Sequence, residues 1–234
     1  MSVKSRLDKL YKTCPRIRLA PDAWILFVSD THMNNGGPAD DFKPLAHAFY
    51  QMLVQYWPTT CIIMTLGDIW ELWECPDRKK IISTYPEIFD LLQKYDVAGR
   101  LLQVKGNHDN ALKLPEALVL QVKDLEIFCI HGYQGDFFND KGWWIGQNVV
   151  RYLWLPLQWI GIHDPAQSKI TKHIFQWKAL KDWAWNNPTT TVSGCGHVHE
   201  LIDGPGIFNS GSWVNGKQGE AWEFKDGQFR QRTF

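Results

Sequence analysis

Residues 100–110, RLLQVKGNHDN, constrain the fold of this chain more than any other stretch. The apolar run at their start predicts a short buried strand, which stops at Gly106. A glycine at that corner is expected to let the backbone turn with a positive φ, a conformation that a side chain opposes. Asn107, His108 and Asp109 follow at once. The pattern therefore places three polar groups at the carboxyl edge of a sheet, where open α/β sheets carry their sites.

Four more apolar runs predict strands, and each of them also ends in polar residues. The runs cover residues 24–28, 60–66, 125–130 and 190–193. The polar groups that follow the five strands are Asp30, His32, Asp68, Asn107, His108, Asp109, His131, His197 and His199. Five of the chain's eight histidines are in this set, so chance would have to place compatible groups at five separate strand ends.

Predicted helices alternate with these strands. One is expected to be capped by Asp40 or Asp41 and to run to about residue 56, and another covers about residues 86–95. Short β segments finish the chain, the last two as a hairpin. The alternation indicates an α/β fold in a single domain over residues 1–234, with the polar groups at the sheet edge.

The alternation breaks in residues 136–187, which are helical in pattern and contain seven of the 13 tryptophans. We expect a helical cap inserted between two strands of the domain. Its aromatic side chains would either form an apolar groove for an acyl chain or a stacked base, or serve as the core of a small subdomain. Lys169 and His173 in the same stretch would either contact a second phosphate of a substrate or lie on a solvated helix face.

The composition bears on partners and location. The 25 basic and 25 acidic residues give zero net charge, so general nucleic-acid binding is not expected. Five cysteines without CxxC spacing favour buried thiols in a reducing cytoplasm over a disulfide framework. Residues 1–13 lack the apolar core of a signal peptide. We also find in the sequence no run of about 18 apolar residues, the length that could span a membrane. Basic residues in positions 1–20 predict either a solvated helix packed on the domain or a patch that approaches anionic membrane surfaces.

Carboxylate, amide and imidazole ligands without thiolates suit Mn, Fe, Zn, Co or Ni. Seven of the polar groups are candidate ligands, and they bring two negative charges if the histidines are neutral. Two divalent ions would leave a net positive site that attracts a phosphate ester. Asp68 has two oxygens with which to bridge ions about 3.5–4 Å apart. The seven candidate ligands are Asp30, His32, Asp68, Asn107, His131, His197 and His199.

The order of these groups resembles the signature of calcineurin-like metallophosphoesterases, which is DxH, GD, GNHD, HG and GHxH. The signature stands here as Asp30/His32, Gly67/Asp68, residues 106–109, His131/Gly132 and Gly196/His197/His199. It spans residues 24 to about 215, nearly the whole chain. The resemblance implies a β-sandwich of two sheets flanked by helices. It also implies a centre for two divalent metal ions, with manganese expected first and Fe, Zn, Co or Ni as the alternatives.

The resemblance also implies a role for each group. One ion would be bound by Asp30, His32, Asp68 and His199. The other would be bound by Asp68, Asn107, His131 and His197. His108 would contact the phosphate and protonate the leaving group, and Asp109 would orient His108 and support its charge.

One stretch narrows the resemblance. Residues 67–73, GDIWELW, are similar to the GD-x-aromatic-E-x-W segment of UDP-2,3-diacylglucosamine pyrophosphatases, which cleave a nucleotide-lipid diphosphate and carry a helical cap. That branch usually has Arg where this chain has His108, and its HGD is expanded here to HGYQGD in residues 131–136. Trp70 and Trp73 lie beside Asp68, and they would either line the substrate site or pack under the loop.

These observations predict an enzyme that hydrolyses a phosphodiester or diphosphate with metal-activated water, with His108 assisting the leaving group. The substrate would be a phosphorylated small molecule, a nucleotide or a nucleotide-lipid. A phosphomonoesterase or protein phosphatase is the alternative enzyme, although protein Ser/Thr phosphatases have VDRG after their GD and read GNHE. A non-catalytic binding scaffold is a further alternative, but such relatives typically lose groups that this chain retains.

Overall fold

The computed structural model of the chain describes residues 2–135, 148, 176–186, 191–214 and 218–234. These residues form two mixed β-sheets with helices on their outer faces. The expected α/β class, a two-sheet sandwich flanked by helices, is therefore confirmed. Most of the predicted cap lies outside the described residues, and Lys169 and His173 lie there too, so the cap remains a prediction.

The elements are numbered in chain order. The strands are β1 (Arg16–Arg18), β2 (Ile25–Val28), β3 (Ile62–Leu66), β4 (Leu101–Val104), β5 (Ala117–Val122), β6 (Leu125–Ile130), β7 (Thr191–Cys195), β8 (Leu201–Gly204), β9 (Ile207–Ser210), β10 (Glu220–Lys225) and β11 (Gln228–Thr233). The helices are α1 (Val3–Thr13), α2 (Ala46–Tyr56), α3 (Arg78–Thr84), α4 (Pro86–Val97) and α5 (Gln176–Trp185). Short 3-10 turns cover Lys43–Leu45 and Tyr133–Gly135.

Each sheet contains three adjacent parallel strands. The five-stranded sheet has the order β11-β10-β2-β3-β4, in which β2, β3 and β4 are parallel. The six-stranded sheet has the order β1-β5-β6-β7-β9-β8, in which β6, β7 and β9 are parallel. The expected terminal hairpin is present as the antiparallel pair of β10 and β11. Parallel strands end at a common edge, which gathers the loops that follow them.

Alternation along the strands fills three apolar layers. On β2, Ile25 and Phe27 face the other sheet, where Phe27 packs edge-to-face on Phe208 with ring centroids 4.9 Å apart. Leu26 and Val28 face the opposite way, into the layer formed with α2, α3 and α4. Because both faces of β2 are covered, its sequence is a continuous apolar run.

Helices α1 and α5 cover the outer face of the six-stranded sheet. Trp183 of α5 is 1% exposed, packs on Phe128 and Tyr11, and donates a hydrogen bond from Nε1 to Asp8 (2.8 Å). This helix comes from the segment in which the cap was predicted. At Trp183, therefore, the tryptophan serves the core of the domain.

Helix α1 packs through Leu7, as a helix attached to the domain was expected to do. Two of the nearby basic side chains pair with acidic ones, Arg6 with Glu116 at 2.5 Å and Arg16 with Glu126 at 2.6 Å. Among the described residues, none of the helices has the length and apolar character needed to cross a bilayer.

The predicted cap of helix α2 was wrong. The helix begins at Ala46 after a 3-10 turn, and no side chain caps it. The carboxylate of Asp40 instead accepts hydrogen bonds from the backbone N–H of Gly36 (2.7 Å) and the hydroxyl of Tyr85 (2.6 Å). Asp40 thus ties the loop that follows β2 to the junction of α3 and α4.

Candidate metal centre

The predicted polar groups lie in loops at the carboxyl ends of parallel strands from both sheets. Asp30 and His32 follow β2, Asp68 follows β3, and residues 107–109 follow β4. His131 follows β6, and the GHxH segment follows β7. Side chains from the two sheets approach within ion-pair distance of one another. Three groups in the described part of the chain have ligand atoms close enough together to hold a metal ion: Asp30/His32/His199, Asp68/His131/His197 and His32/Glu71/His108.

The first group is organised by the carboxylate of Asp30. Its Oδ1 lies 3.2 Å from Nε2 of His199 and 3.7 Å from Nε2 of His32. Its Oδ2 accepts hydrogen bonds from the hydroxyl of Ser29 (2.5 Å) and the backbone N–H of His197 (2.9 Å). The contacts of Oδ2 fix the carboxylate, so that Oδ1 faces the imidazoles.

The second group is organised by Asp68, which also reaches the first group. Its Oδ2 lies 2.9 Å from Nε2 of His131, whose ring centroid is 5.1 Å from that of His197. The same Oδ2 lies 3.7 Å from Nε2 of His32. Oδ1 of Asp68 accepts a hydrogen bond from the backbone N–H of His108 (2.8 Å). One carboxylate therefore lies between the two groups.

Several buried atoms of these groups form no hydrogen bond, although buried polar atoms are normally paired. They are Oδ1 of Asp30, Nε2 of His32 and Nε2 of His131. Nδ1 of His131 lies 2.7 Å from the carbonyl oxygen of Leu66, which can only accept, so Nδ1 carries the proton. In neutral His131 the lone pair of Nε2 then points at Asp68, as in a metal-binding histidine whose other nitrogen is held by a carbonyl. The donor set fits divalent metal ions.

Opposite charges stabilise the groups mutually. Burial alone raises the pKa of Asp30, but the charges of His131 and His199 outweigh it and hold the pKa well below its usual range. The pKa of Asp68 is likewise lowered, because His131 and His108 outweigh its burial. For His131, burial lowers the pKa, yet the charges of Asp68 and Asp30 raise it to about 9. These imidazoles and carboxylates thus stabilise one another's charged forms, and such perturbed pKa values are typical of functional sites.

The backbone is strained at most of the candidate ligands. Seven non-glycine residues in the described chain have positive φ angles, and five of them are candidate ligands. The other two, Lys123 and Asp226, lie in turns between antiparallel strands. The left-handed conformation costs roughly 1–2 kcal/mol per residue, so its concentration here points to a functional constraint. The five are Asp30 (φ 53°), His32 (45°), Asp68 (52°), His197 (75°) and His199 (53°).

Two glycines are needed because carboxylates lie against them. A Cβ on Gly106 would come within 2.1 Å of Oδ1 of Asp68, and one on Gly196 would come within 2.5 Å of Oδ2 of Asp30. The sequence explanation for Gly106, a positive φ, was wrong: Gly106 is not among the glycines with positive φ. Its role is to let the loop after β4 close over Asp68.

Asp109 does not hold His108, contrary to the role that the resemblance implied. Its Oδ1 accepts from the backbone N–H of Gly106 (2.6 Å) and its Oδ2 from that of Ile69 (2.9 Å). Burial and the nearby charge of Asp68 raise the pKa of Asp109 to about 6. Asp109 therefore joins the loops after β3 and β4, and its neighbour Asn107 is buried on the same loop.

Glu71 occupies the position expected of Asp109, and the sequence reasoning missed it. Nδ1 of His108 lies 2.8 and 2.7 Å from the two oxygens of Glu71. Nδ1 of His32 lies 2.7 Å from Oε2. Burial alone raises the pKa of Glu71, but His108 and His32 outweigh it and lower the pKa to about 2. The sequence signal for Glu71 is its place in the GDIWELW segment, three residues after Asp68.

Trp70 and Trp73 pack under the loop, which is one of the two interpretations left open by the sequence. Trp73 is 2% exposed and stacks on the ring of His108, with centroids 4.1 Å apart and planes 21° apart. Trp70 is 8% exposed, packs on Phe89 and lies under the guanidinium of Arg78. Trp73 therefore reaches the centre through His108 and presents little surface to a substrate.

Comparison with known proteins supports the fold. No family model matches the chain, and no curated protein matches it. The structure of a cold-active protein tyrosine phosphatase is similar, with a TM-score of 0.50 and 11% identity, over 97% of this chain and 82% of that one. A predicted phosphoesterase from Streptococcus pneumoniae has a TM-score of 0.43 and 15% identity, over 91% of this chain and 98% of that one. Vps29 from Entamoeba histolytica, complexed with zinc, has a TM-score of 0.39 and 15% identity, over 90% of this chain and 98% of that one. At 11% identity the likeness to the cold-active phosphatase concerns the fold alone, and nothing is argued from the two structures with lower TM-scores.

Proposed function

We propose that this chain is a metal-dependent phosphoesterase with two divalent ions, which hydrolyses a phosphodiester or diphosphate. The observation that carries the proposal is the position of Asp68, whose Oδ2 lies 2.9 Å from His131 in one group and 3.7 Å from His32 in the other. A single carboxylate between two clusters of nitrogen and oxygen ligands has two oxygens with which to bridge the ions of a dinuclear centre. The signature in the sequence supports the same conclusion.

The two ions would be divided between the groups. Asp30, His32, Asp68 and His199 would bind one, and Asp68, Asn107, His131 and His197 the other. Bound divalent ions would neutralise phosphate charge and lower the pKa of the attacking water. We propose manganese first, with Fe, Zn, Co and Ni as alternatives of the same ligand preference.

His108 would act on the leaving group. Its Nδ1 is held by Glu71 and its ring by Trp73, so Nε2 is the nitrogen that remains for a substrate. Protonated His108 would donate from Nε2 to the oxygen that departs from phosphorus. Its backbone N–H, bound to Asp68, keeps the loop beside the proposed bridging ligand.

The substrate would be a phosphorylated small molecule, a nucleotide or a nucleotide-lipid, and the GDIWELW segment makes UDP-linked lipid diphosphates the first natural class to test. A binding scaffold is disfavoured, because the clustered carboxylates and imidazoles and His108 are all retained. The five cysteines are free and four of them are buried, which supports the proposal of a reducing cytoplasm.

The first test compares two chromogenic esters, bis(4-nitrophenyl) phosphate and 4-nitrophenyl phosphate. The protein is stripped with a chelator, reloaded with Mn²⁺ and assayed beside Asp68→Asn. We expect hydrolysis that is lost on chelation, restored by Mn²⁺, faster for the diester, and lower by roughly a hundredfold or more in Asp68→Asn. A faster monoester would indicate the phosphomonoesterase alternative. Hydrolysis that is indifferent to metal and to Asp68→Asn would refute the proposal.

A further inference from the structure

Glu71 links two histidines to which the proposed function gives different tasks. Its Oε2 lies 2.7 Å from Nδ1 of His32, a candidate metal ligand, and 2.7 Å from Nδ1 of His108, the candidate acid. The two rings meet edge-to-face, with centroids 4.6 Å apart and an angle of 84°. Glu71 is the one carboxylate among the described residues that contacts Nδ1 of both rings.

Glu71 is itself fixed in place. It is 4% exposed, and its Oε1 accepts hydrogen bonds from the backbone N–H groups of Trp73 (3.2 Å) and Glu74 (3.3 Å). A buried carboxylate that is held by backbone N–H groups of its own loop has little freedom, so it sets the positions of the side chains that it binds. The stacked indole of Trp73 adds a second constraint by setting the plane of the His108 ring.

We propose that Glu71 is a positioning residue that couples metal binding to leaving-group protonation. The proposal rests on the proposed function. Through His32, Glu71 aims Nε2 at Asp30 and Asp68, which strengthens the ligand set. Through His108, it aims the other Nε2 at the substrate. One carboxylate then places a ligand and the acid relative to each other, a task that the sequence resemblance had given to Asp109 for His108 alone.

The test uses Glu71→Gln, with Glu87→Gln as the matched control. Glu87 is exposed on α4, so the same chemical change there leaves the centre untouched. The Gln side chain keeps the size of Glu71 but has a single acceptor oxygen, so it cannot accept well from both histidines. Glu71→Asp, which keeps the charge and shortens the reach, is the second variant if Glu71→Gln does not fold. Circular dichroism confirms folding of each variant.

The first readout is Mn²⁺ affinity, measured by calorimetry without substrate. We expect the affinity of Glu71→Gln to fall by about 10–100-fold, as when the partner of a ligating histidine is removed, while Glu87→Gln keeps the wild-type value. An unchanged affinity would overturn the link through His32. If Glu71→Gln binds one Mn²⁺ ion fewer than the wild-type protein, rather than the same number more weakly, the proposal is also overturned, because Glu71 would then be a metal ligand.

The second readout is kcat at saturating Mn²⁺ for two aryl phosphodiesters with 4-nitrophenol or phenol as the leaving group. We expect Glu71→Gln to lower kcat more for phenol, the poorer leaving group, with little change in KM. Combining Glu71→Gln with His108→Ala should be no slower than His108→Ala alone, because the effect passes through His108. Additive losses would overturn the link through His108. If the wild-type protein hydrolyses neither ester, the proposed function fails, while the calorimetry still decides the contact with His32.

Discussion

The two sheets contribute different chemistry to the candidate centre. In the three ligand groups, every carboxylate comes from loops of the five-stranded sheet, namely Asp30, Asp68 and Glu71. The loops of the six-stranded sheet supply imidazoles alone, those of His131, His197 and His199. The groups of Asp30 and Asp68 each need residues from both sides, whereas the His32/Glu71/His108 group lies wholly on loops of the five-stranded sheet. The site around Asp30 and Asp68 therefore forms where the sandwich closes, because imidazoles of the six-stranded side, above all His131, balance these two buried carboxylates.

Backbone contacts cross between the sheets at the same place. Nδ1 of His131 donates to the carbonyl of Leu66 (2.7 Å), and the N–H of His197 donates to Asp30 (2.9 Å). The N–H of Trp213 donates to the carbonyl of Asp30 (3.1 Å). The loops of the six-stranded side are therefore held by groups of the five-stranded side. Substituting a carboxylate such as Asp30 should therefore disturb the ligands of both sides.

The largest effect should distinguish the carboxylate side from the imidazole side. Asp30→Ala removes the oxygen facing the histidines and also the acceptor for His197, whereas His199→Ala removes one ligand. We expect both to weaken Mn²⁺ binding, Asp30→Ala by roughly 10–100-fold more than His199→Ala. Calorimetry measures both, with Asp203→Ala on the exposed edge strand β8 as the control. Equal losses would mean that the two sides contribute alike.

A smaller effect should appear in the free energy of unfolding when a glycine that lies against a carboxylate is replaced. Gly106→Ala places a Cβ 2.1 Å from Asp68, so we expect unfolding to become easier by about 3 kcal/mol and Mn²⁺ affinity to drop. Gly99→Ala is the control: φ there is +67° with nothing within 4 Å, and the conformation alone costs about 1 kcal/mol. Denaturant unfolding compares them. If Gly106→Ala is no worse than Gly99→Ala, the loop is not packed on Asp68 as described.

The sequence predicted this architecture because its signals are local. Apolar runs ending in polar residues gave strands such as β2 and β3 and the edge where the groups gather. Strand β5, ALVLQV in Ala117–Val122, went unassigned although its composition favours a strand, and it supplies the antiparallel partner of β6. The three-residue strand β1 carries no pattern long enough to detect.

Pairing across the centre could not be predicted in the same way. The resemblance implied that Asp109 orients His108, but in the folded loop Asp109 faces backbone N–H groups. Glu71 reaches His108 from a different loop, so its role depends on how the segments after β3 and β4 pack. The positive φ angles at Asp30 and His199 likewise follow from tertiary contacts, since no local preference of those residues requires them.

The number of Mn²⁺ ions bound per chain, with and without the carboxylate of Asp68, decides whether the centre is dinuclear. Metal-free protein and its Asp68→Asn variant are titrated with Mn²⁺, and bound metal is counted by elemental analysis after gel filtration. We expect two ions in the wild-type protein and one or none retained by Asp68→Asn, because both groups lose a shared ligand. One ion in the wild type, or two ions held equally well by Asp68→Asn, would contradict this expectation.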